Sequence, residues 1–64
     1  MKPGDLVRIR HGPGALFVDV AGLVGVIVNV RRNWAAGVRV AEVLVDGNIR
    51  HFYFDYLEPV DATG

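Results

Sequence analysis

The segment from Val38 to Phe54, VRVAEVLVDGNIRHFYF, decides the fold of this chain. It holds two runs rich in β-branched and aromatic residues on either side of Asp46-Gly47. That dipeptide is typical of tight hairpin turns, because glycine accepts a positive φ. In the first run Glu42 marks the solvent face, since a carboxylate is rarely buried without a partner. Alternation then predicts that the core-facing residues are Ala41, Val43 and Val45.

The second run does not fix its own register. An inward Ile49 would leave both phenylalanines of the run exposed, whereas inward phenylalanines would bury Arg50 with them. We therefore expect the alternation to break near His51. The expected core residues are Ile49, Phe52, Phe54 and Leu57. The expected surface residues, whose hydroxyls can reach water or a partner, are Tyr53 and Tyr56.

Outward from this hairpin, three further runs also read as strands. The first, in GDLVRIR (4–10), places Val7 and Ile9 on one face. The second, in LVGVIVNVRR (23–32), has Asn29 and Arg31 on its outer face. The inner residues expected there are Val24, Val26, Val28 and Val30. A short last strand is expected from Val60, because Pro59 fits only a sheet edge or a break.

Five short strands, with one long loop after the first, cannot form a flat sheet in 64 residues without exposing both faces. We therefore expect an all-β fold, a small five-stranded barrel over residues 1–60, with 61–64 as a disordered tail. Apolar residues make up 52% of the chain. That is more than one small core can enclose, so oligomerisation or docking would use the surplus.

Composition argues against an enzyme. The chain has no Ser, Cys or Gln, and its single Thr is at position 63, so the expected barrel holds no hydroxyl or thiol nucleophile of the usual kind. His11 and His51 are the only imidazoles, and we expect no metal and no cofactor. Early charges argue against a signal peptide, and the apolar run LVGVIV is too short to span a bilayer. We expect a cytoplasmic protein without membrane contact.

The formal net charge is zero, but the charges are unevenly distributed. Residues 1–41 hold six basic and two acidic side chains, a balance of +4, and residues 42–64 hold one basic and five acidic ones, a balance of −4. One interpretation is that the strands interleave these charges into surface pairs. The other is a polar molecule that associates head to tail into a ring or a filament.

The motifs KPGDLVRIR, GLVGVIVNV, VRVAEVLVDG and YLEPV resemble those of SH3-like small barrels of the KOW-like kind, over about residues 1–60. The opening GDLV, the central DG turn and the closing LE are also similar to those of short SH3-like proteins encoded by bacteriophages. The KOW resemblance implies contact with nucleic acid or with a ribosomal or transcription partner. The phage resemblance implies a virion component, such as a capsid-decoration or head–tail protein, and a location in the virion.

A nucleic-acid site would use the connector between the second and third strands. Arginine forks favour phosphate, and an aromatic ring can stack on a base. The candidate residues are Arg31, Arg32, Trp34 and Arg39. The alternative is that this connector is a solvated turn whose tryptophan covers one end of the barrel. Zero net charge and a single lysine disfavour nucleic acid.

A protein-binding site is the preferred interpretation. The loop HGPGALFVDVAG (11–22) has an apolar cluster where loops are ordinarily polar. The loop either folds back over an open barrel end, or Phe17 joins outward-facing Leu6, Ile27 and Leu44 in one patch. The candidate residues are Leu16, Phe17, Val18, Leu44, Arg50, Tyr53 and Tyr56. The expected partner is another protein or further copies of this chain.

Overall fold

The computed structural model describes residues 1–14, 16–33 and 37–60. They form one antiparallel sheet in the order β4-β3-β2-β1-β5. The strands are β1 (Leu6–Ile9), β2 (Val24–Asn33), β3 (Val38–Val45), β4 (Asn48–Tyr53) and β5 (Leu57–Pro59). A short 3-10 turn, Phe54–Tyr56, joins β4 to β5. The all-β fold class and the long loop after the first strand are thus confirmed.

The β3–β4 hairpin forms where the sequence predicts it. Val45 pairs with Asn48, so the turn consists of Asp46 and Gly47 alone. Their φ values are +53° and +79°, the two positive angles that a type I′ turn requires and that match the twist of the flanking strands. The turn therefore sets the register of β3 against β4.

The core lies on one face of the sheet, called here the inner face, and on the loop that covers it. The inward positions expected in β1 and β3 are confirmed, because Val7, Ile9, Ala41, Val43 and Val45 are all buried. The other buried hydrophobic residues in the described part of the chain are Val20, Ile27, Phe52 and Leu57. Partly buried side chains packed against this set are Phe17, Val30 and Phe54.

The inner face expected for β2 is wrong over the first half of the strand. Ile27 pairs with Val43 and Asn29 pairs with Glu42, so one extra residue, Val28, interrupts the alternation as a β-bulge. Beyond the bulge the expectation holds, with Val30 turned to the core. Before it, Gly25 and Ile27 are buried, whereas Val24 and Val28 are exposed and Val26 is half-buried.

Gly25 is required by a close approach between β2 and β3. A Cβ atom at this position would lie 2.6 Å from the Leu44 carbonyl oxygen and 2.7 Å from Val43 Cγ1. A backbone oxygen cannot move aside as the end of a side chain can, so only glycine fits here.

The expected break in alternation near His51 is also wrong. Strand β4 alternates throughout, with Phe52 buried and its neighbours His51 and Tyr53 exposed. Ile49, expected in the core, is 59% exposed. Leu57 in the core and an outward Tyr53 are confirmed, and Tyr56 is half-buried.

The sheet is open. Within the described part of the chain β4 pairs with β3 only and β5 pairs with β1 only, which leaves two edges. The last strand comes earlier than expected, at Leu57–Pro59, and Pro59 lies in this edge strand. Residues 61–64, expected to be a tail, lie outside the described residues. No helix long and apolar enough to cross a membrane occurs in the described ranges.

Candidate protein-binding surface

The loop between β1 and β2 folds back over the core. Of the two alternatives for this loop, folding back and an exposed patch around Phe17, the structure therefore has the first. Val20 is buried, and the Phe17 ring meets the rings of Phe52 and Tyr56 edge to face, at centroid distances of 4.8 and 5.2 Å. The loop is tied to β1, because Gly22 N donates to Ile9 O at 2.7 Å. Two apolar loop residues therefore complete the core.

Phe17 reaches this position with an unusual backbone. Its φ is +61°, in the left-handed region that bulky residues rarely adopt. The Phe17 carbonyl oxygen accepts hydrogen bonds from Val20 N at 3.0 Å and from Ala21 N at 2.7 Å. The tight turn and the ring packing together hold the residue in a conformation that would otherwise be unfavourable.

The other two loop candidates remain at the surface. Leu16 is 46% exposed and Val18 is 70% exposed. The loop thus divides its apolar residues between closing the core and facing solvent. The alternative patch of Phe17 with Leu6, Ile27 and Leu44 is wrong in two of its members, because Phe17 packs against the core and Ile27 is buried.

Leu6 and Leu44 do face outward, and they belong to a different apolar row. In the register of the sheet Leu6 pairs with Val26, Val26 pairs with Leu44, and Leu44 pairs with Ile49. These four residues, the outer stripe, run across β1 to β4 on the face opposite the core. Exposed fractions are 45% for Leu6, 41% for Leu44 and 59% for Ile49. Val24 and Val28 of β2 add exposed apolar surface beside the stripe.

Sequence reasoning found only half of the stripe. The sequence pattern predicts Val26 and Ile49 in the core, and it misplaces Val26 because the bulge at Val28 is invisible in a run of valines. For Ile49, the sequence does contain a signal that indicates the outer face. A two-residue Asp-Gly turn pairs Val45 with Asn48, so Ile49 pairs with Leu44 and must lie on the same face as that outward residue.

Arg50 is accommodated on the inner face by an ion pair. Its guanidinium Nη1 contacts Asp19 Oδ2, from the long loop, and the Arg50 side chain is only partly exposed. This contact resolves the conflict in the sequence between inward phenylalanines and a buried arginine. It also engages Arg50 within its own chain, so this member of the predicted binding set has a structural role.

The two tyrosines have different surroundings. Tyr56 packs against Phe17, whereas Tyr53 is exposed and lines an open cleft of about 380 Å³. The other lining residues are Val38, Arg39, Phe54 and Asp55. The cleft is mainly apolar at its walls, with one charge of each sign, and lies at the end of β4.

A charged cluster occupies the outer face beside the stripe. Glu42 Oε1 lies 3.0 Å from Arg31 Nε and 3.2 Å from His51 Nε2. The Glu42 side chain is 14% exposed, while the side chains of both of its partners are mostly exposed. Within the described ranges no group of three or more potential metal ligands comes together.

Ion pairs join the basic and acidic parts of the chain. Besides Arg31–Glu42 and Asp19–Arg50, Arg8 Nη1 lies 3.5 Å from Glu58 Oε1. Each of these three pairs joins a residue of 1–41 with one of 42–64. Of the two interpretations of the uneven charge, this arrangement agrees with interleaved surface pairs.

The predicted nucleic-acid residues are only partly brought together. Arg32 of β2 lies directly opposite Arg39 of β3 in the strand register, so two cations lie at the same end of this hairpin. Arg31, their neighbour, is engaged with Glu42. Trp34 lies outside the described residues.

Comparison of the chain with protein-family models, with curated proteins and with solved structures finds no match. The resemblance to SH3-like and KOW-like barrels therefore rests on the sequence motifs alone.

Proposed function

We propose that this protein is a non-catalytic protein-binding or assembly module, and that the outer stripe is its principal docking surface. The observation that carries this proposal is the continuity of the stripe. Four apolar side chains on four adjacent strands lie in one row on the solvent face, where antiparallel sheets ordinarily carry polar residues. Contiguous apolar surface of this kind marks interaction sites in soluble proteins.

The energetics favour docking at the stripe. Complete burial of a Leu or Ile side chain contributes about 1.5–3 kcal/mol. Leu6, Leu44 and Ile49 are each about half exposed, so a partner that covered them would gain roughly 1 kcal/mol from each. The exposed Leu16 and Val18 of the loop offer a second apolar contact.

The finer parts of this proposal rest on the sequence motifs. The strand order places β1 between β2 and β5, and the 3-10 turn brings β5 back to β1. A sheet with this strand order is compatible with an SH3-like small barrel. The phage-like motifs extend the proposal to a virion component, such as a capsid-decoration or head–tail protein, for which an apolar docking row is suited.

A KOW-like nucleic-acid-binding function is the second candidate. The direct pairing of Arg32 with Arg39 favours it, because two cations on opposite strands suit a phosphate. The zero net charge and the engagement of Arg31 with Glu42 weaken the electrostatic attraction on which such binding depends.

Site-specific photo-crosslinking in the cells that produce the protein tests the main proposal. A photo-reactive residue replaces Leu44 in the stripe or, as a matched control, Val38 on the same strand. The two positions are similarly exposed, at 41% and 38%. We expect a discrete crosslinked protein, identified by mass spectrometry, from position 44 only.

The same preparations distinguish the second candidate. Binding to single-stranded or double-stranded DNA or RNA that weakens with salt and is lost in Arg32→Ala would favour the nucleic-acid function. Crosslinks of equal yield from positions 38 and 44, or none from 44, would contradict docking through the stripe.

A further inference from the structure

Strand β4 presents an open hydrogen-bonding edge. The pair that closes a two-residue hairpin, here Val45 and Asn48, exchanges both of its backbone hydrogen bonds. Such pairs recur at every second residue, so Arg50 and Phe52 also bond to β3. Both the N–H and the C=O of Ile49 and His51, and the N–H of Tyr53, therefore point away from the sheet. The Tyr53 carbonyl is used instead by the 3-10 turn, because Tyr53 is its N-cap residue.

Nothing in the described part of the chain covers this edge. Among the described residues, no backbone hydrogen bond outside the strands and the 3-10 turn involves Ile49, His51 or Tyr53. The opposite edge differs, because β5 has three residues and includes Pro59, which has no N–H group. Of the two edges, β4 is the one able to accept a further strand.

The side chains of β4 do not protect the edge either. Lysine, proline, bulges and inward-pointing charges are among the devices that prevent edge pairing, and of these β4 contains only an inward-pointing charge, Arg50. Its one arginine, Arg50, contacts Asp19 of the same chain, so its charge is balanced before a second strand approaches.

We propose that two copies of this chain pair along β4, edge to edge and antiparallel, to form a continuous ten-stranded sheet. The proposal rests on the assembly function above and names the partner and the contact. When His51 lies opposite His51 of the second copy, Ile49 of each copy lies opposite Tyr53 of the other. In this register the two His51 residues exchange both of their backbone hydrogen bonds, and the Tyr53 N–H of each copy donates to the Ile49 carbonyl of the other.

Three observations favour a second copy as the occupant of the edge. The edge is self-complementary about His51, because its apolar and aromatic ends, Ile49 and Tyr53, meet across a two-fold axis. The outer stripe ends at Ile49, so pairing extends it toward Tyr53 of the second copy. The net charge of zero removes the overall repulsion between copies that keeps many proteins apart.

The size of the contact predicts its strength. Two six-residue strands bury less than the roughly 1,200–2,000 Å² of a stable interface. The dimer is therefore reversible, and its population rises with protein concentration.

Sedimentation velocity over a concentration series tests the proposal with two substitutions at one position. His51→Pro removes the outward N–H at the centre of the dimer ladder and leaves the β3–β4 bonds intact, because that N–H does not point to β3. His51→Ala removes the same imidazole and its Glu42 contact but keeps the N–H. We expect dimers for the natural chain and for His51→Ala, and a folded monomer for His51→Pro.

Amide hydrogen exchange of the unmodified protein provides a second measurement that needs no variant. Protection of the amides of residues 51 and 53 is expected to rise with concentration, while those of Arg50 and Phe52 are protected throughout. Dimers that persist in His51→Pro, with no such rise, would overturn edge pairing and leave assembly through the stripe intact. A chain that stays monomeric at every concentration would also overturn edge pairing. The proposed function is tested separately, by crosslinking at position 44.

Discussion

Replacing Phe17 by glycine is expected to destabilise the protein less than replacing it by alanine. Both substitutions remove the ring that packs against Phe52 and Tyr56. Only glycine adopts a φ of +61° without strain. The ordinary order of the two residues, in which alanine is the more stable, is therefore expected to reverse at this position.

The magnitude of each effect follows from burial and backbone angle. A fully buried Phe→Ala substitution costs about 3–5 kcal/mol, and Phe17 is half-buried, so we expect a loss of roughly 2 kcal/mol from its packing. A left-handed φ costs a residue with a Cβ about 1–2 kcal/mol, whereas the extra backbone entropy of glycine costs about 0.5–1 kcal/mol. Phe17→Gly should therefore be more stable than Phe17→Ala by up to about 1.5 kcal/mol.

Urea unfolding followed by circular dichroism measures this difference, and Val18 supplies the matched control. Val18 is the next residue along the loop, is 70% exposed and does not have a positive φ. There the ordinary order should hold, with Val18→Gly less stable than Val18→Ala. If Phe17→Gly is also less stable than Phe17→Ala, by a similar amount, then the left-handed turn at Phe17 does not exist in solution.

Two further substitutions test other contacts. Gly25→Ala places a Cβ 2.6 Å from the Leu44 carbonyl oxygen and should cost about 1–3 kcal/mol. Its thermal melt should fall well below that of Val24→Ala at the neighbouring exposed position, and equal melts would contradict the close approach. Glu42→Gln weakens the contacts with Arg31 and His51 and should cost about 0.5–1 kcal/mol at low ionic strength. This loss should shrink in concentrated salt, and a salt-independent loss would show that charge is not its cause.

Where neighbouring residues alone set the conformation, the sequence was sufficient to predict the structure correctly. The Asp46-Gly47 turn needs positive φ angles at two successive residues, and few dipeptides provide them. Glu42 then fixed which residues of β3 face inward, and the burial of Ala41 and Val43 agrees. Both signals lie within a few residues of the feature that they determine.

Where a feature depends on distant contacts, sequence reasoning failed. Arg50 is tolerated on the inner face because Asp19, 31 positions earlier in the chain, meets its guanidinium. No alternation pattern within β4 reveals that contact, so the expected break near His51 was an incorrect way to keep Arg50 out of the core. For the candidate site the consequence was that Ile49, the most exposed member of the outer stripe, was placed inside.

The bulge at Val28 links the fold to the proposed docking surface. Without the extra residue, Asn29 and Arg31 on the outer face would require Gly25 to face outward and Val26 to face inward. The bulge reverses both, so a glycine lies where β3 comes closest and a valine joins Leu6 and Leu44 on the outside. Since the closest approach of two strands and the continuity of the stripe depend on the same irregularity, the core and the docking surface cannot vary independently. An apolar row maintained in this way is a structural consequence of how β2 packs, and it is available to any partner that presents a matching apolar surface.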